Sequence, residues 1–200
     1  MNLEKYNINY NADLSVAENC KNILKNKPET LAHVLNVADT GVKLAEKFNA
    51  DIEKVRTACY LHDVCAVVPR SDHINLCREH GLPILPEEEQ APLLIHQKVS
   101  EIIARDIFNI KDDEILSAVD CHTTLKVNPS VIDMIVFISD KLSWDRQGTP
   151  PFFDILESAL EHSLERACLE YINYIFYNNM IIIPHPESVS AKKYLESKIL

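Results

Sequence analysis

The sequence predicts a single all-α domain over residues 1–200, and three observations support this prediction. Only 3 of the 200 residues are glycine, which disfavours a β-rich fold with many tight turns. Apolar residues recur at intervals of three and four along most of the chain, which is typical of amphipathic helices. No internal repeat, low-complexity segment or domain boundary interrupts this pattern, so we expect one helical bundle.

The first two predicted helices follow a polar start over residues 1–12. Ser15 and Glu18 form a capping-box pattern at the start of the first helix, and Pro28 lies in the break that ends it. The second helix carries an apolar stripe with His33 beside it. The stripe consists of Leu31, Val34, Leu35, Ala38, Val42 and Ala45.

A third helix is predicted over residues 52–63, and it ends in the pair His62-Asp63. Residues 69–92 contain four prolines and an acidic run, so we expect a loop-rich excursion with one short helix over residues 71–80. A fourth helix over residues 93–108 carries His96. A fifth over residues 112–122 has apolar residues three and seven positions before His122, so that His122 should face the core.

Residues 130–142 are nearly all apolar, which predicts a helix that is buried on most sides. A carboxylate in such a helix, as at Asp140, is unfavourable unless it is paired or bound to a metal ion. We expect a loop over residues 143–151, one long helix over residues 152–177 and a last helix over residues 188–200.

Charge and composition exclude several classes of partner. The formal net charge of −10 and the lack of a basic stripe argue against nucleic acid, and a phosphate substrate would need a local positive centre such as bound cations. The longest apolar run, residues 180–183, is too short to cross a membrane. No secretory signal opens the chain and none of its six cysteines forms a CxxC pair, so we expect a cytoplasmic protein with reduced thiols.

Four histidines and two aspartates follow one another along consecutive predicted helices. Imidazole and carboxylate are natural ligands for iron, manganese and zinc. Each residue taken singly is explained by an ordinary buried hydrogen bond, including the His62-Asp63 pair at a helix end. Together they predict a metal site built from the facing sides of a helical bundle. The set is His33, His62, Asp63, His96, His122 and Asp140.

The segments around these residues resemble the HD-domain metal-dependent phosphohydrolases of the YqeK type, which cleave symmetrical dinucleoside tetraphosphates. The matching segments are residues 32–38, 60–64, 94–96, 121–124, 137–140 and 185–191. The resemblance implies an HD-type fold with a metal-binding core over residues 29–142 and C-terminal helices over residues 152–200. It implies that diadenosine tetraphosphate is cut into two ADP by hydroxide generated at a dinuclear centre.

The resemblance further implies two divalent or mixed-valent transition-metal ions, with iron expected and manganese, zinc, cobalt or nickel as alternatives. One ion would be held by His33, His62, Asp63 and Asp140. The second would be held by His96 and His122, with Asp63 bridging. Asp63 and His62 would then be the catalytic pair.

Residues beside the last ligands are the candidate substrate contacts. They are Thr123, Thr124, Lys126, Lys141, Trp144 and Arg146. The chain departs from the family pattern at Ala66, where a lysine is usual, at Leu125, where a glycine is usual, and along residues 141–151.

A small nucleotide is the expected partner, and a homodimer is compatible with the sequence. Three other functions stay open. They are phosphohydrolysis of a mononucleotide or another phosphomonoester, a di-iron oxygenase that uses the same six ligands, and a nucleotide sensor without turnover.

Overall fold

The computed structural model describes residues 3–6, 8–144 and 147–199. Within these ranges the backbone forms α-helices and 3₁₀ turns with no β-strand, which confirms the all-α prediction. None of the helices described combines the length and the apolar character that a membrane span requires. The helices are α1 (Val16–Ile23), α2 (Pro28–Lys47), α3 (Ile52–Leu61), α4 (His73–Glu79), α5 (Pro86–Gln90), α6 (His96–Asp106), α7 (Asp113–Cys121), α8 (Val131–Leu142), α9 (Phe153–Leu160), α10 (Leu164–Tyr177) and α11 (Pro186–Ile199).

Side-chain caps set the start of three helices that carry predicted ligands. Asp51 accepts from two backbone N–H groups at the start of α3, and Asp112 does the same for α7. Ser130 caps α8 in a reciprocal pair with Asp133. Each such cap contributes on the order of 1 kcal/mol, so the starts of these helices follow from local sequence.

The helix α8 packs against α2, α3 and α7, α3 also packs against α2 and α7, and α6 packs on α7. A glycine permits the close approach of α2 and α3, because a Cβ atom at Gly41 of α2 would lie 2.7 Å from Cys59 Sγ and 3.0 Å from Val55 Cγ1 of α3. Residues 132–139 of α8 are all buried, as the apolar pattern predicts. On the other side of α8, α10 packs against α8, α9 and α11.

Two segments differ from the expectation drawn from sequence. The single helix predicted over residues 152–177 is wrong, because α9 ends at Leu160 and α10 begins at Leu164. Ser163 lies in extended backbone between them and caps α10 by accepting from the Arg166 N–H, which favours a break. The apolar spacing continues through this break and therefore hides it.

The excursion over residues 69–92 contains more helix than predicted. A 3₁₀ turn at Arg70–Asp72 leads into α4, which ends at Glu79, and α5 follows as a second short helix. Pro86 occupies the first turn of α5, where a missing N–H is tolerated. The fourth predicted helix begins with a 3₁₀ turn at Pro92–Ile95, so that His96 opens α6.

Candidate metal centre

The six predicted ligands converge from five helices on one cluster. His33 lies in the second turn of α2, His62 follows the last residue of α3, and Asp63 comes next along the chain. The other three lie at the start of α6, just after α7 and near the end of α8. His62 is fully buried, while the side chain of Asp63 is 27% exposed, so the carboxylate of Asp63 faces the open side of the cluster.

The four imidazole rings are oriented by backbone carbonyl groups. In each ring Nδ1 lies against a carbonyl oxygen, and because a carbonyl oxygen only accepts, Nδ1 must donate its proton. A neutral ring in this tautomer keeps a lone pair on Nε2, the atom that would bind a metal ion. The contacts are His62 to Cys59 O (2.7 Å), His96 to Leu93 O (2.5 Å), His122 to Val119 O (2.7 Å) and His33 to Ser143 O (3.0 Å).

The Nε2 atoms meet in two pairs. His33 and His62 bring theirs to 3.3 Å, and His96 and His122 bring theirs to 2.9 Å. Two nitrogen ligands about 2.1 Å from one ion stand about 3.0–3.4 Å apart when they subtend 90–110°. The 3.3 Å spacing of His33 and His62 fits a shared cation, and the 2.9 Å spacing of His96 and His122 lies just below this range.

Asp63 faces both pairs, one oxygen to each. Its Oδ2 lies 3.7 Å from His62 Nε2 and 4.0 Å from His33 Nε2. Its Oδ1 lies 3.4 Å from His96 Nε2 and 3.8 Å from His122 Nε2. The side chain is thus positioned between two groups of imidazoles.

Among the residues that the structure describes, two sets of three ligand atoms lie close enough to hold an ion. One set is His33, His62 and Asp140, in which Asp140 Oδ1 lies 3.0 Å from His33 Nε2. The other set is His62, Asp63 and His122. The donors are imidazole nitrogens and carboxylate oxygens, a combination that suits first-row transition metals.

Burial and mutual charge set the protonation of these groups. Burial lowers the pKa of His62, and it lowers the pKa of His122 well below the usual range. Burial raises the pKa of Asp63, but the surrounding histidines outweigh it and lower the pKa overall. The same opposition at Asp140 is decided by Lys141, which holds that pKa well below its usual range. Neutral imidazole and ionised carboxylate are the forms that bind metal ions.

The predicted substrate contact Lys141 points into the protein. Its Nζ lies 2.5 Å from Asp140 Oδ2 and donates to the carbonyl oxygen of His122 at 3.2 Å. The ammonium group also stands over the rings of Phe137 and Tyr171, 5.1 and 5.7 Å from their centroids. The side chain is only 11% exposed, so its charge acts on Asp140, a predicted ligand.

Of the other predicted substrate contacts in the described residues, Thr123 touches the ligand cluster. Its Oγ1 lies 3.2 Å from His96 Nε2. Thr124 is buried, and Lys126 Nζ lies 3.2 Å from the buried carboxylate of Asp133. Trp144 packs edge-on against Phe152, at 5.5 Å between ring centroids. Arg146 lies outside the described residues.

Sequence reasoning missed Gln97, which holds the turn that carries Thr123 and Thr124. Its Oε1 accepts from the N–H groups of Thr123 and Thr124 at 3.0 and 3.3 Å. Its Nε2 donates to Thr124 Oγ1 at 3.1 Å, and the side chain is buried. Its place directly after the ligand His96 was the available signal. The next residue in the turn, Leu125, has φ +58° although it is fully buried.

A buried cluster of charged and polar side chains packs next to the turn that carries Thr123 and Thr124. Glu88 is fully buried, with Oε1 2.7 Å from Lys98 Nζ and 3.5 Å from His185 Nε2. Three residues further on, Ser188 Oγ donates to the carbonyl oxygen of Thr124 at 2.8 Å. The segment at His185 that resembles the family thus joins the start of α11 to α5, α6 and the turn at Thr124.

The sequence of the chain is similar to that of several known proteins. Residues 30–145 match the HD domain family. A Lactococcus lactis subsp. cremoris protein named "Uncharacterized protein in pepC 5'region" is 38% identical over 198 residues, which are 98% of this chain and 99% of that protein. The symmetrical bis(5'-nucleosyl)-tetraphosphatase of Staphylococcus aureus is 30% identical over 158 residues, which are 76% of this chain and 79% of that protein.

A solved structure shows the same fold. The crystal structure of a predicted HD superfamily hydrolase involved in NAD metabolism, from Clostridium acetobutylicum, superimposes with a TM-score of 0.80 at 27% identity. The match covers 94% of this chain and 98% of the other.

Proposed function

The chain belongs to the HD domain family, and from that premise we propose that it is a metal-dependent phosphohydrolase that cleaves symmetrical dinucleoside tetraphosphates. The substrate would be diadenosine tetraphosphate, which one water molecule splits into two ADP. The similarity to the Staphylococcus aureus symmetrical tetraphosphatase supports this substrate class. The scarcity of glycine supports it as well, because a chain without a glycine-rich phosphate loop needs cations to bind phosphate.

The position of Asp63 is the observation that carries the proposal. Its two oxygens face two separate imidazole pairs, as a bridge between two ions requires. His33, His62, Asp63 and Asp140 would hold one ion, and His96, His122 and Asp63 the other. When bound, two ions would neutralise phosphate charge and lower the pKa of a water molecule towards neutrality.

Other groups of the protein orient the four histidine rings and place a hydroxyl group beside them. The carbonyl groups behind the rings keep the four Nε2 atoms turned inward, so the ligand positions exist before any substrate arrives. Thr123 Oγ1 lies 3.2 Å from His96 Nε2. Once a metal ion occupies that nitrogen, the Thr123 hydroxyl group would be placed to donate to a phosphate oxygen. Gln97 holds the backbone of Thr123 in place.

Iron is the metal we propose, with manganese, zinc, cobalt and nickel as alternatives that the same donors accept. The cytoplasm is the proposed compartment, which the six free, buried cysteines support. A homodimer stays a prediction that sedimentation equilibrium tests.

The direct test uses protein purified without oxygen and reconstituted separately with each of these metals. Diadenosine tetraphosphate is added, and the products are separated by anion-exchange chromatography. The expected product is ADP alone, and Asp63→Ala serves as the inactive control. AMP together with ATP, or an uncut substrate with every metal, would contradict the proposed reaction.

One observation favours a smaller substrate as the second candidate. Both predicted lysine contacts are engaged within the protein, Lys126 with Asp133 and Lys141 with Asp140. Fewer side-chain cations are then left for a chain of four phosphates. The same preparations should therefore be offered nucleoside monophosphates. Phosphate release from these, with diadenosine tetraphosphate uncut, would identify a mononucleotide phosphohydrolase.

A further inference from the structure

We propose that Lys141 is a built-in counter-charge of the metal centre, which weakens its affinity for cations and strengthens its affinity for phosphate. The inference rests on the proposed function, because it assumes that the six ligands hold metal ions. It assigns Lys141 a role through Asp140 and through charge, in place of the direct substrate contact expected from sequence.

Contacts within the protein account for all the donors of the Lys141 ammonium group. An ammonium group has three N–H donors. One faces Asp140 Oδ2 at 2.5 Å, one faces the His122 carbonyl oxygen at 3.2 Å, and the third is left to the rings of Phe137 and Tyr171. With the side chain 11% exposed, no donor is left for a substrate.

The same contact fixes how Asp140 can act. Its Oδ2 is occupied by Lys141, while its Oδ1 faces His33 Nε2 at 3.0 Å and His62 Nε2 at 3.9 Å. Asp140 therefore offers a single oxygen to an ion. Lys141 also joins the end of α7 to α8, because it bonds the carbonyl group of the ligand His122.

The charge of the centre follows from these groups. When the four imidazoles bind metal as neutral rings, the six ligands carry only the two negative charges of Asp63 and Asp140, and Lys141 reduces the total by one. In a partly buried site, where the effective dielectric constant is well below that of water, one charge acts on both a cation and an anion. Lys141 must therefore lower the affinity for metal ions and raise the affinity of the loaded centre for phosphate. This matters in a chain whose net charge of −10 repels phosphate at long range.

The test is the variant Lys141→Met, which keeps an unbranched side chain and removes the charge. Chelator competition measures Mn²⁺ binding to the metal-free protein, and calorimetry measures inorganic phosphate binding to the Mn²⁺-saturated protein. We expect Mn²⁺ to bind about tenfold more tightly or better, and phosphate to bind about tenfold more weakly. Lys192→Met is the matched control, because Lys192 pairs with Glu196 and Asn173 on the surface of α11 and α10.

Opposite shifts in the two affinities distinguish a charge effect from damage to the fold. A lysine that merely supports structure would, when lost, weaken both affinities or neither, and either result overturns the inference. If Lys141→Met does not fold, Lys141→Gln and Lys141→Arg carry the test. The neutral glutamine should reproduce the opposite shifts, whereas the arginine variant, which keeps the charge, should not show them. Equal effects of Gln and Arg overturn the inference.

The measurements also separate this inference from the proposed function. Metal and phosphate binding are read directly and need no turnover of diadenosine tetraphosphate. Opposite shifts in a protein that leaves the dinucleotide uncut would support the role of Lys141 and reject the proposed substrate. Unchanged affinities in a protein that cleaves the dinucleotide would do the reverse.

Discussion

The Nε2 atoms of His96 and His122 lie 2.9 Å apart, and the Nδ1 atom of each ring faces a carbonyl oxygen. When both rings are neutral, two lone pairs are directed at each other and no hydrogen bond joins them. The arrangement is unfavourable without a cation and favourable with one, and metal binding should therefore stabilise the folded protein by mass action.

Asp63 should influence metal content more than any histidine, because its two oxygens face both imidazole pairs. After reconstitution with iron, the wild type should carry more than one equivalent of metal per chain. Asp63→Ala should lose metal from both positions and retain less than His122→Ala. Elemental analysis measures the content, and circular dichroism confirms that the helices remain. Asp113→Ala, at an exposed position in α7, is the control. Full occupancy in Asp63→Ala would reject the bridging role.

Gln97 should affect catalysis while leaving metal content unchanged. Gln97→Leu removes the acceptor for the Thr123 and Thr124 N–H groups, so Thr123 is no longer held beside His96. A loss of about 10–100-fold in kcat/KM for diadenosine tetraphosphate is expected, the range seen when supporting contacts around metal sites are removed. Gln97→Glu keeps acceptor oxygens and should lose less. Wild-type kinetics in the leucine variant would show that the turn is held without Gln97.

Glu88 should make stability depend on pH in acid. Burial raises the pKa of Glu88, but its contacts with His185, the Leu85 N–H and Lys98 outweigh this and lower the pKa to about 2. Because the pKa is lowered on folding, the ionised carboxylate stabilises the protein above pH ~4.5, and this contribution is lost as the pH falls towards 2. The gap in unfolding free energy between wild type and Glu88→Gln should therefore be largest at neutral pH and shrink below pH ~4.5.

Urea unfolding between pH 7 and pH 3.5, with a chelator present, measures the gap for Glu88. The exposed Glu187 gives the control variant Glu187→Gln, which should show no such trend. A gap that stays constant across this range would show that Glu88 is not held ionised by its neighbours.

At position 125 a glycine variant should be more stable than an alanine variant, the reverse of the usual order. The φ of +58° at Leu125 places a Cβ in the left-handed region, at a penalty of about 1–2 kcal/mol that glycine avoids. Leu125→Ala and Leu125→Gly both lose a fully buried side chain and should both be less stable than the wild type. The glycine variant should nevertheless exceed the alanine variant by about 1 kcal/mol in urea unfolding. Ala118→Gly, inside α7, should show the opposite sign.

The helices and the meeting of the six ligands were predictable because they depend on local pattern. His122 could be assigned to the core face of its helix from the apolar residues before it, and Ile115 and Val119 are indeed buried. Asp140 could be predicted as a paired or metal-bound carboxylate because it lies in so apolar a helix. That these residues bind metal stays a prediction, whereas their convergence is a property of the fold.

What could not be predicted depends on contacts distant in sequence. The sequence predicts Lys141 as a substrate contact, whereas its inward position arises from contacts with Tyr171 and His122, which other helices supply. The family pattern that the sequence resembles has a glycine at the position of Leu125, which is compatible with left-handed backbone there. The break before Ser163 was hidden because the apolar spacing on both sides is in phase.

The orientation of the four histidine rings depends on long-range contacts to different degrees. His62, His96 and His122 each take their orientation from a carbonyl three residues earlier, whereas His33 takes its own from Ser143, 110 residues away. Local opening of the segment after α8 would release the His33 ring, while the other three rings would keep their orientation. The two halves of the centre should therefore differ in exchange lifetime. An ion held by His33 would leave first during such openings, and one held by His96 and His122 would remain until α6 or α7 itself unravels.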